Sequence, residues 1–242
     1  MSQKDGSLVF TDWTTKKVIR CSPDSSERNA IVDADPDGRY ADFNVHPTYP
    51  DWILAVKEDH HSSVVHNSLV AIDGASRKVQ TIAEGADFYA HPQFSPDGHQ
   101  VCWTQWNHPD MPWTGTVLYT ANWHGHDAPL EGLTAIAGKA GVESISQPRW
   151  GLDGSLYFAS DRTGYWQLYQ MGKGSHDIRA IKLEGLEDAE FAGPGWSLAR
   201  CGDPFPLKVQ SHKLTLPLIA ALMYLLMLVR LPQRTPGMLV TA

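Results

Sequence analysis

The sequence contains little cysteine, with three residues in 242 at Cys21, Cys102 and Cys201. Their number is odd, they are widely spaced, and two of them fall in apolar segments that we expect to be strands. A disulfide framework or a zinc site built on cysteine is therefore not expected. This cysteine usage fits a reducing compartment, and we expect a cytoplasmic protein.

A basic stripe and an apolar leader are also missing. The 20 Lys and Arg residues are scattered and are outnumbered by 27 Asp and Glu residues, giving a formal charge of -7. Such a chain has no electrostatic footprint for nucleic acid. Residues 1–6 are polar, whereas a secretory signal peptide begins with a basic segment and an apolar run. We expect neither nucleic-acid binding nor secretion.

Aromatic residues and turn formers are plentiful. Nine Trp, eight Tyr and seven Phe are interrupted by 20 Gly and 16 Pro. Aromatic side chains favour strands, and Gly and Pro favour the turns between them. The composition therefore indicates an all-β protein.

A repeat of about one propeller blade organises the chain. Turn pairs recur at Asp5-Gly6, Pro50-Asp51, Asp97-Gly98 and Asp153-Gly154, and their aspartates lie 46, 46 and 56 residues apart. This period suits a four-stranded blade.

Four series of strand-like segments follow the repeat. Segments at 7–13, 52–59, 99–106 and 155–161 follow the turns, and partners lie at 18–21, 68–73, 116–122 and 165–171. Outer strands are expected near 79–83, 134–137 and 178–183, and innermost strands at 41–47, 87–94, 144–150 and 188–196. The pattern predicts an incomplete β-propeller over 1–200, with about three complete four-stranded blades and partial ones. A ring typically needs four to eight blades, so we expect open edges that could support self-association.

The tail over 201–242 breaks this pattern, and its apolar segment at 214–229 (LTLPLIAALMYLLMLV) does not alternate. Three interpretations stay open. The segment could be a short helix that packs on the propeller edge, or a membrane anchor, although it is shorter than the roughly 20 residues of a spanning helix. It could also be unrelated to the fold, through a shifted reading frame or a retained intron. Membrane association is expected only through this segment.

Several strings resemble the propeller of the prolyl oligopeptidase family of serine peptidases, in its acylaminoacyl-peptidase and dipeptidyl-peptidase-like branch. They are ADFYAHPQFSPDG at 86–98, WNHPDMPWTGTVL at 106–118, QPRW at 147–150 and SDRTGYWQLY at 160–169. SPDG alone is shared with many propellers, including TolB-like ones. The resemblance covers about 6–196.

The resemblance implies a propeller that precedes an α/β-hydrolase domain with a Ser, Asp and His triad, and that filters or orients peptides. A nucleophile elbow normally reads G-x-S-x-G. The nearest string here is Gly195-Trp196-Ser197-Leu198-Ala199, which ends in alanine. We expect no catalytic residue and no cofactor in this chain, with the hydrolase domain and peptides as partners.

Candidate contact residues lie in the loops between the second and third strands of each blade, at 57–67, 107–115 and 161–164, which a four-stranded meander places on one face. Glu58 and Asp59 could bind a peptide amino group, and Arg162 a carboxylate. Trp106, Met111 and Trp113 could contact an apolar side chain or a partner domain. His108 and Asp161 are the other two candidates for contact with a substrate or a partner domain. The alternative for all of them is a role within the fold, with Asp161 and Arg162 bracing a turn.

The eleven histidines suggest a metal site only weakly. His124-Gly125-His126 and the pair His60-His61 lack Cys or carboxylate partners at zinc spacing. We expect no metal.

Three functional hypotheses remain. The first is a non-catalytic propeller that acts through interactions. The second is one part of an active serine peptidase whose triad is encoded downstream or elsewhere, and the third is an independent scaffold propeller.

Overall fold

A computed structural model describes residues 6–24, 27–126, 128, 130–183, 189–193 and 195. These ranges contain no helix and form four antiparallel sheets, which we call blades 1 to 4 in chain order. Blade 1 consists of β1 (Leu8–Thr11), β2 (Val18–Cys21) and β3 (Arg28–Val32). Blade 2 consists of β4 (Gly38–Val45), β5 (Trp52–Asp59), β6 (His66–Asp73) and β7 (Lys78–Glu84). Blade 3 consists of β8 (Phe88–Phe94), β9 (Gln100–Trp106), β10 (Val117–Asn122) and β11 (Glu131–Ala137). Blade 4 consists of β12 (Ile145–Trp150), β13 (Leu156–Ser160), β14 (Gln167–Met171) and β15 (Ile178–Ala180).

Each blade is an up-and-down meander, because neighbouring strands in the sheet are also neighbours along the chain. Among the innermost strands, β8 contacts β4 on one side and β12 on the other, so the blades succeed one another around an axis. This confirms the predicted all-β partial propeller with three complete four-stranded blades. Among the described residues, blade 1 has three strands and no innermost one, as the repeat predicts. Its outer strand β3 was not predicted, because it begins with exposed Arg28 and Asn29 and shows no clear alternation.

Apolar side chains fill the spaces between successive blades. Val18 and Ile53 belong to the cluster between blades 1 and 2. Tyr89 and Trp103 belong to the cluster between blades 2 and 3. Each strand alternates its side chains between its two faces, and an interior sheet is covered on both, so both sets of side chains are apolar. The hydrophobic core is therefore divided into layers between blades.

The tight turns between the first and second strands account for the Asp-Gly repeat. Gly98 and Gly154 have φ angles of 75° and 79°, a region that residues with a Cβ atom rarely adopt. The preceding aspartates accept backbone N–H groups, with Asp97 Oδ1 3.2 Å from His99 N and Asp153 Oδ1 3.0 Å from Ser155 N. The local chemistry of these turns therefore carries the repeat.

A second repeat lies in the innermost strands, where each has a β-bulge. Asp42, His91 and Gln147 occupy equivalent positions and have φ angles of 56°, 56° and 52°, which are unusual for residues other than glycine. Hydrogen bonds join these strands from blade to blade. Asp42 Oδ2 accepts the His91 N–H at 2.5 Å, and Gln93 Nε2 donates to the Pro148 carbonyl at 2.7 Å. Neighbouring blades thus hold the bulges in place around the axis.

The segment after blade 4 starts where the innermost strand of a fifth blade would begin. Phe191 N donates to the Trp166 carbonyl at 2.8 Å, and Gln167 Nε2 donates to the Ala189 carbonyl at 2.9 Å. Asn67 of blade 2 makes the equivalent contact with the Asp87 carbonyl. The described residues 189–193 and 195 are nevertheless outside any strand, so the predicted strand is wrong for them. The tail over 201–242, with its apolar segment at 214–229, lies outside the described residues.

Candidate functional site

The loops between the second and third strands lie beside the loops that lead into the next blade. Asp87 N donates to Asn107 Oδ1 at 2.8 Å, and Gly141 N donates to Asp110 Oδ2 at 3.0 Å. The Asn107 side chain therefore braces the backbone that leads into its own blade, and the Asp110 side chain braces the backbone that leads into blade 4. We call this side of the propeller, formed by residues 12–17, 33–37, 60–65, 85–87, 107–116, 138–144 and 161–166, the loop face.

Glu58 and Asp59 lie at the blade 2 end of the loop face, and both already have partners. Glu58 Oε2 is 3.0 Å from His60 Nε2, and Lys57 Nζ is 3.4 Å from Asp59 Oδ2. Asp59 Oδ1 also accepts the His61 N–H at 3.0 Å. That backbone N–H is the main cause that lowers the pKa of Asp59, and the Lys57 charge adds to it. Asp59 is therefore an ionised carboxylate.

Trp106 is buried beneath the loop face. Its ring stacks on Phe88 at 5.2 Å and 17°. His108, in the following loop, packs against Phe88 at 4.9 Å, and its Nδ1 lies 3.1 Å from Asp87 Oδ2. The His108 backbone N–H, the largest cause, lowers the pKa of Asp87. Trp106 and His108 thus shape the loop into blade 3, and Trp106 offers little surface to a ligand.

Met111 and Trp113 lie in the same loop but have different surroundings. Met111 is half exposed at the loop tip, which Thr114 Oγ1 stabilises by accepting the Met111 N–H at 2.7 Å. Trp113 reaches blade 4 and packs in a cluster that includes Trp166 and Phe191. Met111 therefore faces solvent, whereas Trp113 joins blade 3 to the segment after blade 4.

Asp161 and Arg162 are engaged inside the loop face. Asp161 Oδ1 accepts the Ser144 N–H at 2.7 Å. Arg162 directs Nη2 and Nε to Glu143 Oε1 at 2.7 and 2.9 Å, and its guanidinium lies 4.5 Å from the centre of the Tyr169 ring. Both residues brace the junction of β12 and β13 in this structure. The carboxylate that Arg162 binds is the protein's own.

Exposed apolar side chains recur on the loop face, and sequence analysis singled out only one of them. Blade 1 has no described innermost strand, so its β1 corresponds to the second strand of the other blades. With that correspondence, every blade has at least one exposed apolar side chain in its loop between the second and third strands. They are Trp13, Val64, Val65, Met111 and Tyr165, and Val142 lies in the loop between blades 3 and 4. Their position in equivalent loops is a signal that sequence comparison between the units could have found. All of them lie on the loop face.

The axis is a second polar region that sequence analysis missed. His91 Nδ1 is 3.2 Å from Thr104 Oγ1, and burial lowers the pKa of the His91 ring. The charges of Asp42 and Arg149 act on this ring in opposite directions. The ring is therefore neutral and serves as a hydrogen-bonding group. No group of three or more His, Cys, Asp or Glu side chains in the described ranges could hold a metal ion.

Comparison with models of protein families finds no match, and no curated protein matches the sequence. Solved structures do match. A puromycin-hydrolysing peptidase of Mycobacterium tuberculosis has a TM-score of 0.70 and 29% identity over 84% of this chain and 32% of that chain. A puromycin hydrolase gives 0.69 and 28%, covering 81% of this chain and 31% of that chain. A prolyl endopeptidase matches in fold, at a TM-score of 0.54 and 17% identity over 76% and 29% of the two chains.

The blades, their radial packing and the repeated bulges define the described residues as a partial β-propeller. It is a propeller of the type carried by peptidases of the prolyl oligopeptidase family. The chain spans about a third of the length of the puromycin-hydrolysing relatives, at 32% and 31%. Among the described residues, no helix is long and apolar enough to cross a membrane.

Proposed function

We propose that this chain is the non-catalytic propeller of a peptidase assembly, and that its loop face binds an α/β-hydrolase domain and orients peptides towards it. The observation that carries the proposal is the set of exposed apolar side chains on one face of a propeller that is 29% identical to a puromycin-hydrolysing peptidase. The activity of that peptidase supports hydrolysis of peptide-like bonds as the function of the assembly.

The occupied polar groups support interaction over catalysis. Arg162 binds Glu143, and Asp161 binds the backbone of Ser144. Both are committed to the fold, so they preorganise the loop on which Tyr165 is exposed, and the bond from Gly141 N to Asp110 Oδ2 does the same for the loop of Met111. Apolar anchors on a rigid, hydrogen-bonded support are typical of protein interfaces.

Binding of the full chain to a separately produced α/β-hydrolase domain of this peptidase family tests the proposal. The double substitution Met111→Lys and Tyr165→Lys should weaken binding at least tenfold, measured by calorimetry, because it places two charges in a desolvated contact. Leu152→Lys is the matched control, since Leu152 is 73% exposed but lies in the turn between β12 and β13 on the opposite face. Equal losses in both variants would contradict docking through the loop face.

The proposal that this chain is non-catalytic has a separate test. The purified chain alone should not release product from puromycin or from aminoacyl amides above the rate in buffer. Hydrolysis that persists in the purified chain, and that a serine-directed inhibitor abolishes, would show that the chain is itself a peptidase.

A further inference from the structure

We infer that the groove between blades 3 and 4, on the face opposite the loop face, is a binding site for an aromatic side chain of a peptide or protein segment. The inference starts from a difference between neighbouring grooves. In one groove the chain inserts its own tryptophan, and in the next none of the described residues takes that place.

The groove between blades 2 and 3 is filled by the connection from β10 to β11. Trp123 follows the last residue of β10 and is 4% exposed. Its ring meets Phe94 at 5.3 Å and 76°, and Trp52 at 6.1 Å and 67°. His126 Nε2 lies 3.3 Å from the Ala71 carbonyl of blade 2 and helps to hold the connection across the groove. This groove is therefore shaped to accept an indole edge to face.

The equivalent connection in blade 4 leaves its groove open. Gly172 follows the last residue of β14, as Trp123 follows β10, and the connection to β15 is a tight turn closed by a hydrogen bond from Ser175 N to the Gly172 carbonyl at 3.0 Å. A cavity of about 310 Å³ remains between the blades. This volume is large enough for an indole or phenyl ring with its attachment to a peptide.

The walls of the cavity suit an aromatic guest. Trp150 lies at the repeat position of Phe94, the residue that contacts Trp123 in the neighbouring groove, since each is the last residue of its innermost strand. Ile136 and Met171 add apolar surface, and the remaining side chains of the lining are mostly polar, among them Asn122, Thr134 and His176. Trp150 thus presents a ring where the neighbouring groove already shows a ring-to-ring contact.

Hydrogen bonding adds a second observation. Trp150 Nε1 is buried and has no hydrogen-bond partner among the described residues. Because this N–H is also shielded from solvent, a guest in the cavity would contact the face of the Trp150 ring and not its donor. The Trp123 N–H is buried without a described partner too, which indicates that ring burial is what the filled groove selects for. Lys173, at the edge of the cavity, is paired with Asp97 at 2.9 Å, so the site has no strong demand for a charged guest.

The test measures binding of N-acetyl-tryptophanamide to the full chain by saturation-transfer NMR and calorimetry. We expect a Kd on the order of 0.1–1 mM, and binding at least tenfold weaker for N-acetyl-leucinamide. A capped tripeptide with a central tryptophan should bind at least as tightly as the single residue. Equal binding of the leucine and tryptophan probes would overturn the inference, and so would binding of free indole but of neither capped probe.

Two variants locate the site. Gly172→Trp should fill the groove as Trp123 fills its neighbour, abolishing probe binding and raising the Tm. A Cβ atom at Gly172 meets nothing closer than Ser175 Cβ at 3.9 Å, so the backbone accepts a side chain at this position. Thr134→Arg blocks the groove from blade 3, should the first variant misfold. Leu8→Trp adds an exposed tryptophan on blade 1, away from the groove, and should bind the probe like the parent. Unchanged probe binding in folded Gly172→Trp and Thr134→Arg would contradict this site.

Discussion

The contact between Arg162 and Glu143 allows a direct test of whether Arg162 is a structural brace. Glu143 Oε1 accepts from Arg162 Nη2 and Nε and also from Ser160 Oγ at 2.6 Å. The side chains of Arg162 and Glu143 are 33% and 16% exposed. A hydrogen bond to a charged group contributes about 1.5–3 kcal/mol when well shielded, and exposure reduces this. We therefore expect a coupling free energy of about 1–2 kcal/mol.

A double-mutant cycle in urea unfolding measures this coupling, using Arg162→Gln, Glu143→Gln and the double variant, with reversibility checked. The control cycle uses Arg77 and Asp33, whose side chains are 54% and 72% exposed at 3.3 Å, and for which we expect less than about 0.5 kcal/mol. If the coupling of the Arg162 pair were no larger than that of the control, the brace would be refuted. Arg162 would then return as a candidate for binding a peptide carboxylate.

Two further predictions concern the core and the acid side of stability. Leu118→Ala removes a fully buried side chain from the cluster between blades 3 and 4 and should lower the free energy of unfolding by about 2–5 kcal/mol, whereas Leu133→Ala, 61% exposed, should change it by less than about 0.5 kcal/mol. Similar urea midpoints for the two variants would contradict the assignment of this core. Asp97 accepts from Ser95 and pairs with Lys173, and these contacts lower the pKa of its carboxyl far below the ordinary value of 3.8. Because the pKa of Asp97 is lower in the folded state, its contacts stabilise the fold above pH 3.8, and this stabilisation is lost as the pH falls below that value. In thermal melts, Asp97→Asn should therefore lose less Tm between pH 5 and pH 2 than the parent protein does.

The propeller could be predicted from the sequence because the signals that define a blade are local. An aspartate and a glycine at Asp97-Gly98 form their turn through contacts within a few residues, and alternating apolar residues form the strands on both sides of it. The same local signals overestimated the segment after blade 4. A strand there requires a partner, and residues 189–193 have backbone bonds to blade 4 but no described strand beside them.

The candidate contact residues show the limit of such signals. Arg162 and Trp106 have the chemistry of ligand-binding side chains, but both have partners within the protein. Arg162 contacts Glu143, 19 residues earlier in the sequence, and Trp106 contacts Phe88, 18 residues earlier. The side chains that stay exposed on the loop face, among them Trp13 and Tyr165, stand out only when the equivalent loops of the units are compared with one another.

The repeat of turns and strands was therefore determined by the sequence alone, because each unit is specified by its neighbours along the chain. The tertiary structure decided which polar groups are free, where the bulges at Asp42, His91 and Gln147 lie, and which groove stays open. The reason is that all three depend on contacts between blades. Trp123 fills the groove between blades 2 and 3, whereas Gly172 has no side chain to fill the groove between blades 3 and 4. The residues next to Trp123 and Gly172 in the sequence do not show this difference.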